Sequence, residues 1–258
     1  VYDGKEEVPA IITASNIPQN VKVSYQYQLA RKDTELSEEN WDSSLTVKDV
    51  ADSGKYVYVR VVTDNYKPKR FVSELPVKID PCDLSKVTVT LDNNTFTYND
   101  SVLIPTVTAK NDAEIVLEKG KDYTISYTDG KNEVLEPTDA GSYTVKLTAV
   151  PNGNYSGSTE SKFTIEKCKL KAYMIGGQLD KIYDGTTNIA EGQKVIVELW
   201  DDSVRANLQD IRPDQVAYAY RSADVGEHYI DATVITVAGD KVDNYEVVRR
   251  TSSLLGVI

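Results

Sequence analysis

The chain carries one histidine, two cysteines, two tryptophans and seventeen tyrosines. These are the residues whose types and spacing could do chemistry. His228 is the candidate base or metal ligand, but base catalysis needs a reacting partner and a metal site needs further ligands. A single histidine in 258 residues supplies neither. The serines and threonines have no Gly-x-Ser-x-Gly setting, and no glycine-rich phosphate loop occurs. The sequence therefore predicts no enzyme and no cofactor. Asp3-Gly4 and Asp184-Gly185 offer carboxylates for calcium, yet calcium takes about six to eight clustered oxygens and no Asp-x-Asp-x-Asp-Gly loop is present. The only dense acidic spots are "DNN" at 92–94 and "WDDS" at 200–203. The simpler reading is a turn in which Asp bonds its own backbone and Gly takes the positive φ. Trp41 and Trp200 are the candidate ligand-binding residues, as stacking surfaces for a sugar, and Trp200 directly precedes Asp201-Asp202.

Charge narrows the partners. The net charge of −11 divides into about −2, −5 and −4 over residues 1–80, 81–167 and 168–258. Acidity spread so evenly repels phosphates and excludes nucleic acid as a partner. No apolar run reaches the roughly 20 residues that span a bilayer, so no membrane insertion is expected. There is no initiator Met and no signal-peptide pattern, and Met174 is the one methionine. That predicts a mature or excised piece, with any export signal or anchor elsewhere.

The elements that position these residues repeat. Three landmarks recur in one order. The first is a tyrosine phrase, "VYDG", "TYND" and "IYDG", with Tyr2, Tyr98 and Tyr183. The second is Asp-x-Gly before an apolar strand: Asp52/Gly54, Asp139/Gly141 and Asp224/Gly226. The third is Asn-Tyr in a turn: Asn65-Tyr66, Asn154-Tyr155 and Asn244-Tyr245. The glycines lie 87 and 85 residues apart and the asparagines 89 and 90, while Tyr2 stands further from its glycine because the first unit carries an extra stretch near "DTELSEENWD". This near-constant period means three homologous modules. Ile79, Ile165 and Ile258 close the three modules at matching places. The second and third modules have about 15 residues ahead of their tyrosine, whereas Val1 alone precedes Tyr2. The first module's opening strand is thus missing, which predicts an exposed sheet edge.

Cys82 and Cys168 open the second and third modules. Equivalent points on successive modules should lie about 35–45 Å apart, given strands rising about 3.3 Å per residue. A disulfide needs Cα atoms within about 7 Å. Two free thiols at the junctions are expected, with crosslinking to a neighbouring chain as the alternative role.

Alternation in "GSYTVKLTAV" puts Tyr143, Val145, Leu147 and Ala149 on one face, the period of a half-buried strand. "KVTVTL", "DYTISYT", "SKFTIE", "VKVSYQYQL" and "KYVYVRVV" read likewise, and Asp, Asn, Gly and Pro clusters punctuate them. "TDG" at 128–130 suits a hairpin turn. Residues 34–50 read equally as a helix or as a long loop with a helical turn. Asp52-x-Gly54-x-Tyr56 and Asp139-x-Gly141-x-Tyr143 resemble the tyrosine corner of immunoglobulin-like sandwiches, where the ring enters the core and the hydroxyl bonds back to backbone. The third module places His228 in that slot after Gly226. The fold class expected is all-β: three tandem immunoglobulin-like β-sandwich modules in an elongated array.

On "VYDGKEEVP", "TYNDSVLIPTVTA", "IYDGTTN", "DAGSYTVKLTAV", "DVGEHYIDATV" and the Asn-Tyr turns, the chain resembles the bacterial MBG and YDG domains, Ig-like repeats of surface and secreted proteins. The first two modules look like MBG units and the third like the YDG type. The resemblance implies no catalytic residues and a place outside a bacterial cell. The modules expected are 1–80, 81–167 and 168–258, joined by "VKIDPC" and "TIEKCK", with Pro81 stiffening the first linker. The function expected is a non-catalytic, semi-rigid spacer on a cell surface or in a secreted protein. The alternative is an adhesin recognising a surface glycan or host protein. Neighbouring modules of the same parent chain are the other expected partners.

Overall fold

The computed structural model describes residues 1–9, 19–64, 66–176, 179–200, 211–248 and 254–258. These residues form β-strands joined by turns, with 3-10 turns at Val50–Asp52, Leu84–Lys86 and Val242–Asn244 and no α-helix. No helix among them is long and apolar enough to cross a membrane. The protein is all-β, built from tandem β-sandwich modules, as the β-branched and aromatic alternation predicts. Residues 34–50 are a loop, held by bridges from Tyr27 to Asp42 and from Glu7 to Val47.

The chain divides into two compact units. The first comprises Val1–Asp92, Thr106–Thr128 and Thr144–Ser161. Here β1 (Val23–Ala30), β2 (Tyr56–Thr63) and β3 (Tyr66–Val72) make an antiparallel sheet in the order β1-β2-β3. Val57 and Val59 are its buried face, and Tyr56 and Tyr58 alternate to the other side. Every residue of the edge strand β3 is exposed, including Tyr66, Phe71 and Val72. The equivalent strands in the other modules are instead paired in parallel with the strand that opens the module. β4 (Cys82–Asp83) takes β10 (Tyr155–Ser156). β12 (Cys168–Ile175) takes β16 (Tyr245–Val248). Among the described residues no strand pairs with the outer side of β3, which is the open edge expected of the first module.

Residues 88–166 supply β5 (Thr88–Leu91), β6 (Thr95–Thr97), β7 (Val107–Lys110), β8 (Tyr123–Thr128), β9 (Gly141–Ala149) and β11 (Ser158–Glu166). β5 pairs β7, and the other four form a sheet in the order β6-β11-β9-β8. Tyr143, Val145 and Leu147 are buried on one face of β9, the predicted alternation. The "TDG" turn is not a two-residue hairpin. Asp129 caps Lys131 and Asn132 with its carboxylate and Gly130 takes φ +89. Yet Thr128 pairs with Thr144, so the turn opens a longer connection between β8 and β9.

The second unit comprises Asn93–Pro105, Asp129–Tyr143 and Lys162–Ile258. Its third-module part adds β13 (Ile196–Trp200), β14 (Arg212–Tyr220), β15 (Glu227–Ala238) and β17 (Leu255–Val257). Two sheets, β13-β12-β16 and β14-β15-β17, supply one core. Leu170, Ala172 and Leu199 come from the first sheet, and Ile235 and Val237 from β15 pack against them. A second cluster of Leu179, Tyr220, Ile230 and Ile258 closes the end of the module that carries Asp224 and Gly226.

Candidate functional site

The three tyrosine phrases build one turn. In each, the residue after Tyr accepts a hydrogen bond from the backbone N–H two positions on: Asp3 from Lys5 at 2.9 Å, Asn99 from Ser101 at 3.1 Å, Asp184 from Thr186 at 2.9 Å. The next residue is left-handed in all three: Gly4 at φ +82, Asp100 at +63, Gly185 at +72. Asp tolerates this conformation through local hydrogen bonding, and Gly adopts it without penalty. Asp3 and Asp184 thus serve as turn formers. At Asp184 the turn is reinforced by Lys181, whose side chain is 2% exposed and whose Nζ donates to Asp184 Oδ1 and Thr186 O, each at 2.6 Å. That ammonium and the Thr186 donors hold the Asp184 carboxyl down at about 2.

The corner appears in two modules. Tyr143 Oη donates to the Asp139 carbonyl at 2.8 Å, and His228 Nε2 lies 2.8 Å from the Asp224 carbonyl. A carbonyl only accepts, so Nε2 of His228 carries the proton. Gly226 is at φ +144, while Gly141 keeps an ordinary φ. The first module departs from this scheme. Gly54 is left-handed at φ +83, but the core face of β2 is Val57 and Val59. Tyr56 therefore points away from the core and makes no bond to Asp52; Lys32 Nζ sits 5.8 Å from its ring centroid. A one-residue change of phase moves every side chain to the opposite face.

The landmarks of one module meet those of the next. In the first unit, Asn154 Oδ1 accepts the Val50 N–H at 2.8 Å, and its Nδ2 donates to Asp49 Oδ1 at 2.7 Å. The Tyr2 ring meets the Tyr155 ring edge-on at 5.4 Å. In the second unit, Asn244 Oδ1 accepts the Ala140 N–H at 2.7 Å, and its Nδ2 donates to Asp139 Oδ1 at 2.8 Å. The Tyr98 ring meets Tyr245 edge-on at 5.2 Å. These are two copies of one joint. Each combines two hydrogen bonds of about 1 kcal/mol net with an aromatic pair worth about 0.5–1.5 kcal/mol. The first-module partner is Asp49, three residues before the landmark Asp52, which pairs with Lys55 instead. Spacing between Asn-Tyr and Asp-x-Gly was the signal; the four extra residues between Asp49 and the buried strand hid the true partner.

Each joint has its own reinforcement. In the first, Asn111 Nδ2 donates to the Asp3 carbonyl at 3.2 Å, and the Gly4 backbone lies against Ile115. In the second, Tyr98 Oη donates to Asp100 Oδ1 at 3.1 Å and Lys241 Nζ donates to the same oxygen. Burial, with Asp100 adding to it, pushes Tyr98 up to about 12. The bond from Lys241 holds Asp100 below the usual carboxylate range. Burial raises Tyr155 and Tyr245 as well. Neither Cys82 nor Cys168 is in a disulfide. Each stands opposite the joint tyrosine of its own module, Cys82 beside Tyr155 and Cys168 beside Tyr245. Burial raises the Cys82 thiol.

The tryptophans do not share a surface role. Trp41 is 8% exposed, with the guanidinium carbons of Arg60 and Arg70 at 4.7 and 5.6 Å from its ring. It offers no open face for a sugar. Trp200 is half-buried against Tyr173, at 5.7 Å, beside a hollow of about 310 Å³ lined by Tyr173, Met174, Ile175 and Trp200. Asn65, Asp201 and Asp202 lie outside the described residues. Among the described residues no group of three or more His, Cys, Asp or Glu is placed to hold a metal.

Fold and joint define a repeat protein of tandem β-sandwich modules. Residues 87–169 match the MBG domain and residues 167–253 the YDG domain. The two matches follow each other in the order expected from the motifs. No curated protein matches it in sequence. Among solved structures it is similar to the three N-terminal domains of the highly immunogenic outer capsid protein of bacteriophage RB49. The identity is 13% and the TM-score 0.27, over 88% of this chain and 73% of that one.

Proposed function

We propose that this is a non-catalytic repeat region of a bacterial extracellular or cell-surface protein, in which modules 1–80, 81–167 and 168–258 act as a semi-rigid spacer. The observation that carries this reading is the joint. Asn154 and Asn244 make the same pair of bonds to the preceding module. MBG and YDG domains are non-catalytic families of surface proteins, which supports both the location and the absence of catalysis. Spin labels placed on either side of one joint test it. The distance distribution should be narrow in the native chain and broaden in Asn244→Ala. An already broad native distribution would leave no spacer.

Ligand binding is the second reading, favoured by the apolar hollow at Trp200 and Tyr173. A glycan array probed with the whole chain tests it, with Trp200→Ala as the control. A reproducible signal lost in that variant would place the modules among adhesins.

A further inference from the structure

We infer that the Asp224 end of the third module is the open half of a third joint, and that its occupant is the Asn-Tyr turn of a further module of this kind. The end carries the whole acceptor set found at the two filled joints. Tyr183 stands in its turn with Asp184 bonded to Thr186 and Gly185 left-handed, as Tyr2 and Tyr98 stand in theirs. The Asp224 carbonyl is fixed by His228 at 2.8 Å, as that of Asp139 is by Tyr143.

The two halves of the acceptor lie together. The Lys181 N–H bonds to the Val257 carbonyl at 2.8 Å, Val257 pairs with Glu227, and the Gly226 N–H bonds to Ile258 at 3.1 Å. The tyrosine phrase and the Asp224 loop are thus bracketed by one strand.

What differs is that the recognition groups are uncovered. Tyr183 is 59% exposed, whereas Tyr98 is 2% exposed under Tyr245. Val225 is 74% exposed and its N–H has no partner among the described residues, where Val50 and Ala140 give theirs to Asn154 and Asn244. Asp224 uses Oδ2 for Ser222, leaving Oδ1 for an amide N–H, the atom Asp139 gives to Asn244. An edge-on tyrosine and a bidentate asparagine would satisfy all three groups at once. The inference rests on joint geometry and stands whether or not the joints stiffen the chain.

The test is a tandem protein in which residues 80–166 are repeated after Ile258, so that Ile258 is followed by Asp80 as Ile79 is. A second tandem repeats residues 166–258 there, with Tyr183→Phe in the added copy. Nitration of Tyr183 by tetranitromethane, located by mass spectrometry, should fall in the tandem to the low rate of Tyr98. Amide exchange at Val225 should slow by at least about fivefold, the size of one net hydrogen bond. Replacing the asparagine of the added turn, Asn154→Ala or Asn244→Ala in the added copy only, should return both readouts to those of the single chain. Protection of Tyr183 in neither tandem, or protection that survives the asparagine replacement, overturns the inference.

Discussion

Asn244 holds Asp139 as Asn154 holds Asp49: one amide oxygen takes a backbone N–H, and the amide nitrogen reaches the neighbouring carboxylate. The four distances lie between 2.7 and 2.8 Å. An asparagine is the one common side chain that offers both roles at this reach. Aspartate would have no donor for the carboxylate, and glutamine would overshoot by a methylene. The three landmarks of the repeat travel together because they are the two faces of this contact.

Replacing Asn244 by Ala strips one half-buried backbone donor and one carboxylate of their partners. Asn244 is 5% exposed, so water does not restore both. The loss should be about 1–3 kcal/mol by urea denaturation. Asn154→Ala should cost a similar amount, because it makes the same bonds. A loss below about 0.5 kcal/mol at both, well under one unsatisfied buried group, would show that the joint contributes nothing to stability.

Gly4→Ala tests the close approach in the first joint. A Cβ there would stand 2.2 Å from Ile115 Cδ1, on a backbone at φ +82. The left-handed conformation alone costs about 1–2 kcal/mol for an L side chain. Ile115→Val removes the clashing methyl and leaves the φ penalty. The double variant should therefore lose less than the two single losses added together, a coupling read by a double-mutant cycle. Simple additivity would mean that Ile115 does not confine Gly4.

Much of this was legible in the residues themselves. The period came from the Asp-x-Gly and Asn-Tyr landmarks, with Tyr2, Tyr98 and Tyr183 leading them in the same order, and β9 buried the face its alternation predicts. The turn at Asp3 and Asp184 followed from the habit of Asp to cap backbone two residues on. Three things were hidden. Tyr56 occupies the corner position in sequence, but phase along β2 is set by which residues face the core, and Val57 and Val59 do. Asp49 replaces Asp52 at the joint, because an insertion shifts partners without changing the motif. Trp41 reads as a surface aromatic in its polar segment, and only the fold brings Arg60 and Arg70 over it.

That arginine pair carries its own prediction. Arg60 and Arg70 stand directly opposite each other on β2 and β3, a like-charge pairing that destabilises a sheet. Glu38 receives a hydrogen bond from each, with Arg60 Nη1 at 2.9 Å. Glu38→Gln should remove the compensation and lower stability by about 0.2–1 kcal/mol, the range of an exposed ion pair. The loss should shrink in high salt, where the arginines are screened from each other. An effect independent of salt would show that Glu38 acts through its packing.

Asp184 gives the protein a distinct response to acid. Its folded pKa of about 2 lies below the ordinary aspartate value of about 3.9 because Lys181 and Thr186 favour the carboxylate. A group whose pKa is depressed by folding stabilises the fold above its unfolded value, and that contribution is lost as pH falls through the folded one. The third module's tyrosine turn should therefore be fully supported above about pH 4 and weaken progressively towards about pH 2. Asp184→Asn keeps an oxygen for the Thr186 N–H but gives up the charge that meets Lys181. It should flatten the slope of stability against pH in that window while leaving the slope above it unchanged. Carbon-13 titration of the Asp184 carboxyl reads the group directly. A midpoint near the ordinary aspartate value would mean that Lys181 does not bond to it in solution.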